Sequence, residues 1–288
     1  MIDSIFNLFF LDHKYFLEAN LNYFSVLAEK VTVPGTPLEA LMWGFIAFFI
    51  QPVSAIFGAK FKISKKFISI ALAFSSGVLI ALLTYDLLDV SFELGGLFPT
   101  IMGLLLGIFT YIFLNKLISN LGARLAHSPS SNKRCKTESN DEKLSYALIV
   151  GALIDGIPES ASIGISLLEN RIVSASIIVG IIIANIPEGI ASGAGLKKSG
   201  YNLKNITLIW LIVASLCSLS SFLAFIFLSN VSLSFQALII AFAGGGVLAM
   251  VLQSVVPEAY QGTHEQVSIF GALGFSSIFI ISKVMVPH

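Results

Sequence analysis

The strongest constraint in this sequence is a series of long apolar stretches, each about as long as a membrane-spanning helix. A helix needs about 20 mainly apolar residues to cross the hydrocarbon core of a bilayer. Eight stretches reach this length: 38–59, 67–88, 95–118, 144–168, 172–195, 204–229, 234–256 and 266–285. They are too long for barrel strands and do not alternate, which excludes a membrane β-barrel. The sequence therefore predicts an all-α membrane protein with eight transmembrane helices.

The composition agrees with this architecture. Of the 288 residues, 56% are hydrophobic and 12% are charged, whereas soluble domains carry about 25% charged residues. The 17 basic and 17 acidic side chains cancel, so no net field attracts nucleic acid. Two cysteines, Cys135 and Cys217, are too few for a disulfide framework or a cysteine-rich zinc site. These values exclude a disordered chain, a fibre and an ordinary cytosolic enzyme.

Two segments differ from the apolar stretches. Residues 1–37 mix aromatic and charged side chains and end in a run rich in Pro and Gly. They favour an interfacial helix followed by a turn, with a partly ordered extramembrane tail as the alternative. No basic region opens them, so no signal peptide is predicted. The polar segment 119–143 indicates a mobile cytoplasmic loop within a membrane domain that covers 38–288.

The basic residues predict the orientation, because cytoplasmic loops carry an excess of Lys and Arg. With the N-terminus outside, thirteen basic residues fall on the inner side and four on the outer side. The inner set is Lys60, Lys62, Lys65, Lys66, Lys116, Arg124, Lys133, Arg134, Lys136, Lys143, Lys197, Lys198 and Lys204. Both termini are therefore expected outside, in a bacterial inner membrane, with an organelle as the alternative.

Acidic side chains lie inside the apolar stretches. Asp86, Asp155, Glu159 and Glu188 fall within predicted spans, and Glu258 lies at the end of another. Each costs at least about 2.5 kcal/mol at the centre of a bilayer. No Lys or Arg lies deep in a span to pair with them. These carboxylates must therefore bind a cation, take up a proton or face water.

The acids of spans four and five belong to a repeated motif. The tripeptide Ile-Pro-Glu occurs in both spans, 29 residues apart. Asp155 and Glu159 share one helix face, as do Asn185 and Glu188. Each proline also frees a backbone carbonyl, a suitable ligand for a hard cation. We expect Asp155, Glu159, Asn185 and Glu188 to be metal ligands; the alternatives are helix kinks and a protonated glutamate used only for packing.

A second similarity links spans two and seven. Residues 73–79 read Ala-Phe-Ser-Ser-Gly-Val-Leu, and residues 241–248 read Ala-Phe-Ala-Gly-Gly-Gly-Val-Leu. These spans run in opposite directions under the predicted topology, so the similarity indicates an inverted repeat, which is typical of alternating-access carriers. Ordinary packing of small residues is the alternative.

Taken together, these motifs resemble the ZIP (Zrt/Irt-like) divalent metal transporters over 38–288. The Pro-Glu pair is the most specific part, supported by 256–259 and 271–275. The resemblance implies a 3+2+3 helix arrangement with an inverted repeat. It also implies that spans four and five form the metal path.

The chain departs from the family pattern at several positions. Asp155 stands where the family has His, Gly156 where it has Asn, and Ala184 where it has His or Gln. Ser221 is the best candidate for the position of a family Glu in span six, so a second metal site is in doubt. An all-oxygen ligand set suits manganese, magnesium, calcium or iron(II) better than zinc, although carboxylates also bind zinc. Zinc is kept as the expected cargo, with manganese and iron as alternatives. Transport should fall at acid pH, because protons compete with the metal.

Other residues have weaker support. Asp86 fits an acidic entrance that attracts cations, and Glu258 and His264 fit a metal exit on the inner side. In each case a solvated helix end or loop is the alternative.

The expected function is transmembrane transport of a divalent metal ion, which is the substrate; no organic cofactor and no enzymatic activity are expected. Lipid and divalent cations are the expected partners, and a homodimer is an alternative to a monomer. Three other functions stay open. They are a degenerate family member that senses metal or acts as a scaffold, an intramembrane enzyme using Asp155 and Glu159 as an acid–base pair, and a proton-coupled carrier of an organic solute.

Overall fold

The computed structural model describes residues 35–126, 152–153, 156–168 and 175–285. Nearly all of these residues are helical, and no strand occurs among them. Residues 119–126 of the predicted loop 119–143 are helical instead, because the helix Leu97–Ala126 continues through them. The rest of that loop, the N-terminal segment up to residue 34 and Asp155 lie outside the described ranges. The all-α prediction is confirmed for the described part of the chain.

We number the helices in chain order. They are α1 Pro37–Lys60, α2 Lys65–Gly95, α3 Leu97–Ala126, α4 156–168, α5 Ala175–Lys198, α6 Leu203–Leu228, α7 233–263 and α8 Val267–Met285. In the described ranges, six helical stretches are long and apolar enough to cross a membrane. The last of these, Leu233–Ser282, contains both α7 and most of α8. Such helices fit a multi-pass membrane protein, and the predicted count of eight passes stays a prediction.

Local sequence signals set several helix ends. At the start of α1, Thr36 and Glu39 form a reciprocal capping box, with Pro37 in the first turn. The side chain of Asn202 caps α6 by accepting a hydrogen bond from the backbone N–H of Asn205, at 2.8 Å. Helix α2 ends at Gly96, whose φ of 74° is readily available only to glycine.

Helices α2 and α7 run antiparallel. Near the end of α2, the Ser91 hydroxyl donates a hydrogen bond to the carbonyl of Ala237, near the start of α7, at 2.8 Å. Near the end of α7, Gly262 lies against Ser69, close to the start of α2. Residue numbers therefore rise along one helix as they fall along the other.

The chain reverses between α7 and α8. Helix α8 runs parallel to α2, because Gly271 lies against Gly77 and the ring of Phe279 lies 5.5 Å from that of Tyr85. The reversal occurs at His264, which has a φ of 48°. The stretch Leu233–Ser282 thus contains two helices of opposite direction rather than one long helix.

Helix α5 lies at the centre of the bundle, where it contacts α1, α2, α6 and α8. Its residues Ile181, Ala184 and Leu196 are at most 2% exposed. By contrast, α3 presents Phe109 and Phe113 outward, each about two-thirds exposed. In a membrane these rings would face lipid, so the apolar surface of α3 needs no protein partner.

Two helix crossings have the same geometry. Where α2 crosses α8, Gly274 lies so close to the carbonyl of Phe74 that no Cβ fits. Where α3 crosses α7, Gly107 lies in the same way against the carbonyl of Phe242. The two phenylalanines are 168 positions apart and the two glycines 167 apart. The two crossings are therefore equivalent, with α2 corresponding to α7 and α8 corresponding to α3.

A second pair of crossings matches in the same way. Gly193 of α5 meets the carbonyl of Ala55 in α1, and Gly164 of α4 meets the carbonyl of Ser221 in α6. The glycines are 29 positions apart, the same offset as the two Ile-Pro-Glu motifs. These two crossings are thus also equivalent, with α1 corresponding to α6 and α5 corresponding to α4.

The similarity between α2 and α7 includes a backbone irregularity. Each helix contains a π-helical segment, Leu83–Leu88 in α2 and Val251–Val255 in α7. Each segment begins ten residues after the alanine that opens the shared motif, Ala73 or Ala241. Segments of this kind are rare and often occur at functional sites, so their matched position extends the repeat beyond the glycine contacts.

Candidate metal centre

The Pro-Glu motifs of α4 and α5 line a common cavity of about 440 Å³. Its walls come from α1, α2, α4, α5, α6 and α7. Glu159, Asn185 and Glu188 all line it, so the structure brings three of the four predicted ligands together. The fourth, Asp155, lies outside the described residues. Metal binding by these groups stays a prediction.

Two of these side chains are almost completely buried. Glu159 is 6% exposed and Asn185 is 1% exposed, while Glu188 is half-buried. Among the described residues that line the cavity, none is Lys or Arg. The cavity therefore presents oxygen atoms and negative charge without a basic side chain on its walls, an environment that favours a cation.

Gln51 also belongs to this site, and the sequence analysis missed it. It lies in the middle of α1, lines the cavity and is 3% exposed. Its Nε2 donates a hydrogen bond of 2.7 Å to Oδ1 of Asn185. The available signal was a lone Gln inside an apolar span, directly before Pro52, because a polar side chain there is unfavourable without a partner.

One end of the cavity is open. Gly195, Ser199, Ser254 and Glu258 line this end, and both Ser254 and Glu258 are exposed. Lys197 and Lys198, which are also exposed, lie on the same stretch of α5. The cavity thus opens on the side that the basic residues assign to the cytoplasm.

The opposite side of the site is almost closed. A small cavity of about 20 Å³ lies there, with Asp86, Glu159 and Ser162 as its polar residues. Its other walls are the aliphatic side chains Leu79, Leu82, Leu83, Leu87, Ile177, Ile181 and Val247. Glu159 lines both cavities and therefore lies at the boundary between the open and the closed side.

A third cavity, of about 470 Å³, contains Glu93 and Gln236 among its lining residues. It is lined by the last part of α2, the C-terminal end of α4 and the start of α7. The three cavities thus follow one another from Glu258 past Glu159 and Asp86 toward Glu93. Aliphatic side chains separate the first from the last.

The remaining predicted residues lie in different places. Ser221 is fully buried in the crossing of α6 with α1 and α4 and does not line the large cavity. Glu258 lines the open end. His264 is exposed in the turn after α7, with its ring 5.9 Å from that of Tyr260. The sequence analysis places Asp86 at an entrance, and the structure places it in the closed cavity.

Within the described ranges, no three side chains of His, Cys, Asp or Glu form a group that could hold a metal ion. No protein-family model and no curated protein matches this chain. The similarity to the ZIP transporters therefore depends on the motifs given above.

Proposed function

We propose that this protein carries divalent metal ions across a membrane through the cavity between α4 and α5. The observation that carries the proposal is the meeting of both Pro-Glu motifs in one cavity without basic wall residues. Glu159 and Glu188 would bind the ion, Asn185 would contribute an amide oxygen, and the metal is the transported substrate. Asp155 is a further proposed ligand from the sequence motif.

The proposed topology has eight spans in a 3+2+3 arrangement with an inverted repeat. The repeated crossings support a relation of α1, α2 and α3 to α6, α7 and α8, and of α4 to α5. The antiparallel directions of α2 and α7 support inversion rather than a parallel repeat. This arrangement is typical of carriers whose halves exchange conformations around a central site.

The two sides of the site support alternating access. In the repeat, the large cavity's Met250, Ser254 and Val255 correspond to the small cavity's Leu82, Asp86 and Leu87, each 168 positions earlier. Equivalent parts of the two halves thus form an open cavity on one side and a closed one on the other. Exchange of these two arrangements would expose the site first to one side of the membrane and then to the other.

The ligand chemistry narrows the cargo to ions that accept oxygen ligands. Carboxylate and amide oxygens suit manganese and also bind iron(II) and zinc. We propose zinc, manganese or iron(II) as the substrate.

Uptake by reconstituted vesicles tests this function. The wild-type protein should take up at least one of Mn²⁺, Fe²⁺ and Zn²⁺, and the isosteric variants Glu159→Gln and Glu188→Gln should reduce uptake by roughly 100-fold, because each removes a charged ligand. Glu265→Gln is the control, since this carboxylate is exposed in the turn between α7 and α8.

Two results would count against the carrier. Wild-type protein that binds metal without any flux would instead support a sensor or scaffold. Full uptake by both glutamine variants would show that transport does not depend on the carboxylates of Glu159 and Glu188.

A further inference from the structure

Helix α1 contributes a polar group to the cavity that the Pro-Glu motifs do not explain. Gln51 is the residue concerned, and it shares the cavity with Glu159, Asn185 and Glu188. The inference that follows rests on the proposed function, because it concerns the ion that this cavity would hold.

The hydrogen bond between Gln51 and Asn185 leaves part of each amide unused. Oε1 of Gln51 and Nδ2 of Asn185 are buried and have no hydrogen-bond partner in the described part of the chain. The orientation of an amide is assigned from its hydrogen bonds. If both amides were reversed, Nε2 and Oδ1 would be the unused atoms. In the orientation that the structure has, the unused buried oxygen is Oε1 of Gln51. With both amides reversed it would be Oδ1 of Asn185, and metal binding would then not depend on Gln51.

The inverted repeat indicates that helix packing does not require this amide pair. The counterpart of Gln51 in α6 is Cys217, 166 positions later, and the counterpart of Asn185 in α4 is Gly156, 29 positions earlier. These counterparts also meet, because the sulfur of Cys217 occupies the space beside Gly156 where a Cβ would project. The same crossing thus forms in the other half without an amide.

Asn185 and Glu188 lie one helical turn apart on α5, and Gln51 approaches them from α1. An amide oxygen next to carboxylates is a common ligand of hard divalent cations. We propose that Gln51 is a metal ligand of this cavity, supplying a neutral oxygen from α1 that favours six-coordinate ions such as Mn²⁺ over four-coordinate Zn²⁺.

Equilibrium binding tests the proposal separately from transport. The full-length protein in detergent is titrated with Mn²⁺, and free Mn²⁺ is followed by electron paramagnetic resonance, with Zn²⁺ as competitor. Gln51→Leu should weaken Mn²⁺ binding about tenfold and Zn²⁺ binding less, because zinc needs fewer ligands. Gln51→Glu keeps an oxygen at the same place and should retain Mn²⁺ binding.

Gln236→Leu is the matched control. Gln236 is also a buried glutamine in a long helix, and its amide donates to the Leu228 carbonyl at 2.8 Å, away from the large cavity. This variant should keep the wild-type ratio of Mn²⁺ to Zn²⁺ affinity. It therefore reports the effect of losing a buried amide alone.

Three outcomes would overturn the ligand role. One is wild-type Mn²⁺ affinity in Gln51→Leu. Another is an equal loss for Mn²⁺ and Zn²⁺ that Gln51→Glu does not restore, which would indicate a packing role. A third is wild-type protein that binds no Mn²⁺. If wild-type vesicles show no flux while Mn²⁺ binding still depends on Gln51, the proposed transport fails and the ligand role stands.

Discussion

The two cavities that meet at Glu159 occupy equivalent positions in the proposed repeat but differ greatly in volume. The open cavity, which Ser254 of α7 lines, measures about 440 Å³. The closed cavity, which Asp86 of α2 lines, measures about 20 Å³. Equivalent glycine contacts hold the helices on both sides, so the difference does not come from a different set of crossings. Buried aliphatic side chains make up most of the wall on the closed side, whereas exposed polar residues such as Ser254 and Glu258 line the open end.

The two cavities also differ in polarity. Asp86 on the closed side corresponds to Ser254 on the open side. The open side instead carries its acid one turn further on, at Glu258. The halves therefore share a backbone arrangement but place their charges at different depths. Four experiments test this comparison.

The largest expected effect concerns chemical accessibility. In a background with Cys135→Ser and Cys217→Ala, we introduce Ser254→Cys or Asp86→Cys and measure the rate of reaction with a water-soluble thiol reagent. If the closed side opens only in a minor conformation with a population of about 0.1–10%, Asp86→Cys should react roughly 10- to 1000-fold more slowly. Equal rates would contradict the difference between open and closed sides.

Alanine substitutions at the equivalent glycines of two repeated crossings should lower the stability of the protein by similar amounts. Gly164→Ala and Gly193→Ala each place a Cβ where a backbone carbonyl already lies, and overpacking of this kind costs about 1–3 kcal/mol. Melting temperatures in detergent should fall by similar amounts for both variants. Gly195→Ala is the control, because a Cβ there meets nothing within 4 Å, and alanine is a better helix former. A loss in only one of the two variants would break the proposed equivalence.

Acidification should reduce transport. Carboxylate ligands must be deprotonated to bind metal, so the bound fraction falls as pH decreases and protons occupy the ligands. We expect initial uptake rates at low metal concentration to fall several-fold between about pH 7 and about pH 4. Uptake that stays constant over this interval would argue against carboxylate ligation.

The smallest expected effect comes from making the open side resemble the closed one. Ser254→Asp adds a carboxylate to the cavity wall and should tighten Mn²⁺ binding by a few-fold, about 1 kcal/mol or less, because this position is exposed and water screens its charge. The Mn²⁺ affinity of this variant is measured by electron paramagnetic resonance at low and at high salt. An effect that persists unchanged at high salt would point to direct ligation instead.

The apolar stretches predicted both ends of α1, α5, α6 and α8 within three residues. The predicted span 38–59 is Pro37–Lys60, and 204–229 is Leu203–Leu228, because the length of an uncharged run and its capping residues are local properties. The extensions of α2 to Gly95 and of α3 to Ala126 were not predicted. Nor was the extension of α7 beyond 256 to residue 263. Its last turns are more polar and pack on α2 rather than needing an apolar surface on every side.

Only part of the candidate site could be predicted from the sequence. Glu159, Asn185 and Glu188 were found because charge inside an apolar run is conspicuous and the motif repeats. Gln51 was missed because its importance depends on a contact with a residue 134 positions away. The π-helical segments were also missed, because an extra residue in a helical turn leaves no mark on hydropathy.

The glycine contacts have a mechanical consequence. Where two helices touch through main-chain atoms, as Gly193 and Ala55 do, no flexible side chain lies between them that could absorb a change in their separation. Between α2 and α5 the neighbour of Gly180 is the side chain of Leu82, which can change rotamer. In the proposed exchange between states, we therefore expect α2 and α5 to be able to move relative to one another along this contact, and a bulkier or stiffer side chain at Leu82 should slow that exchange.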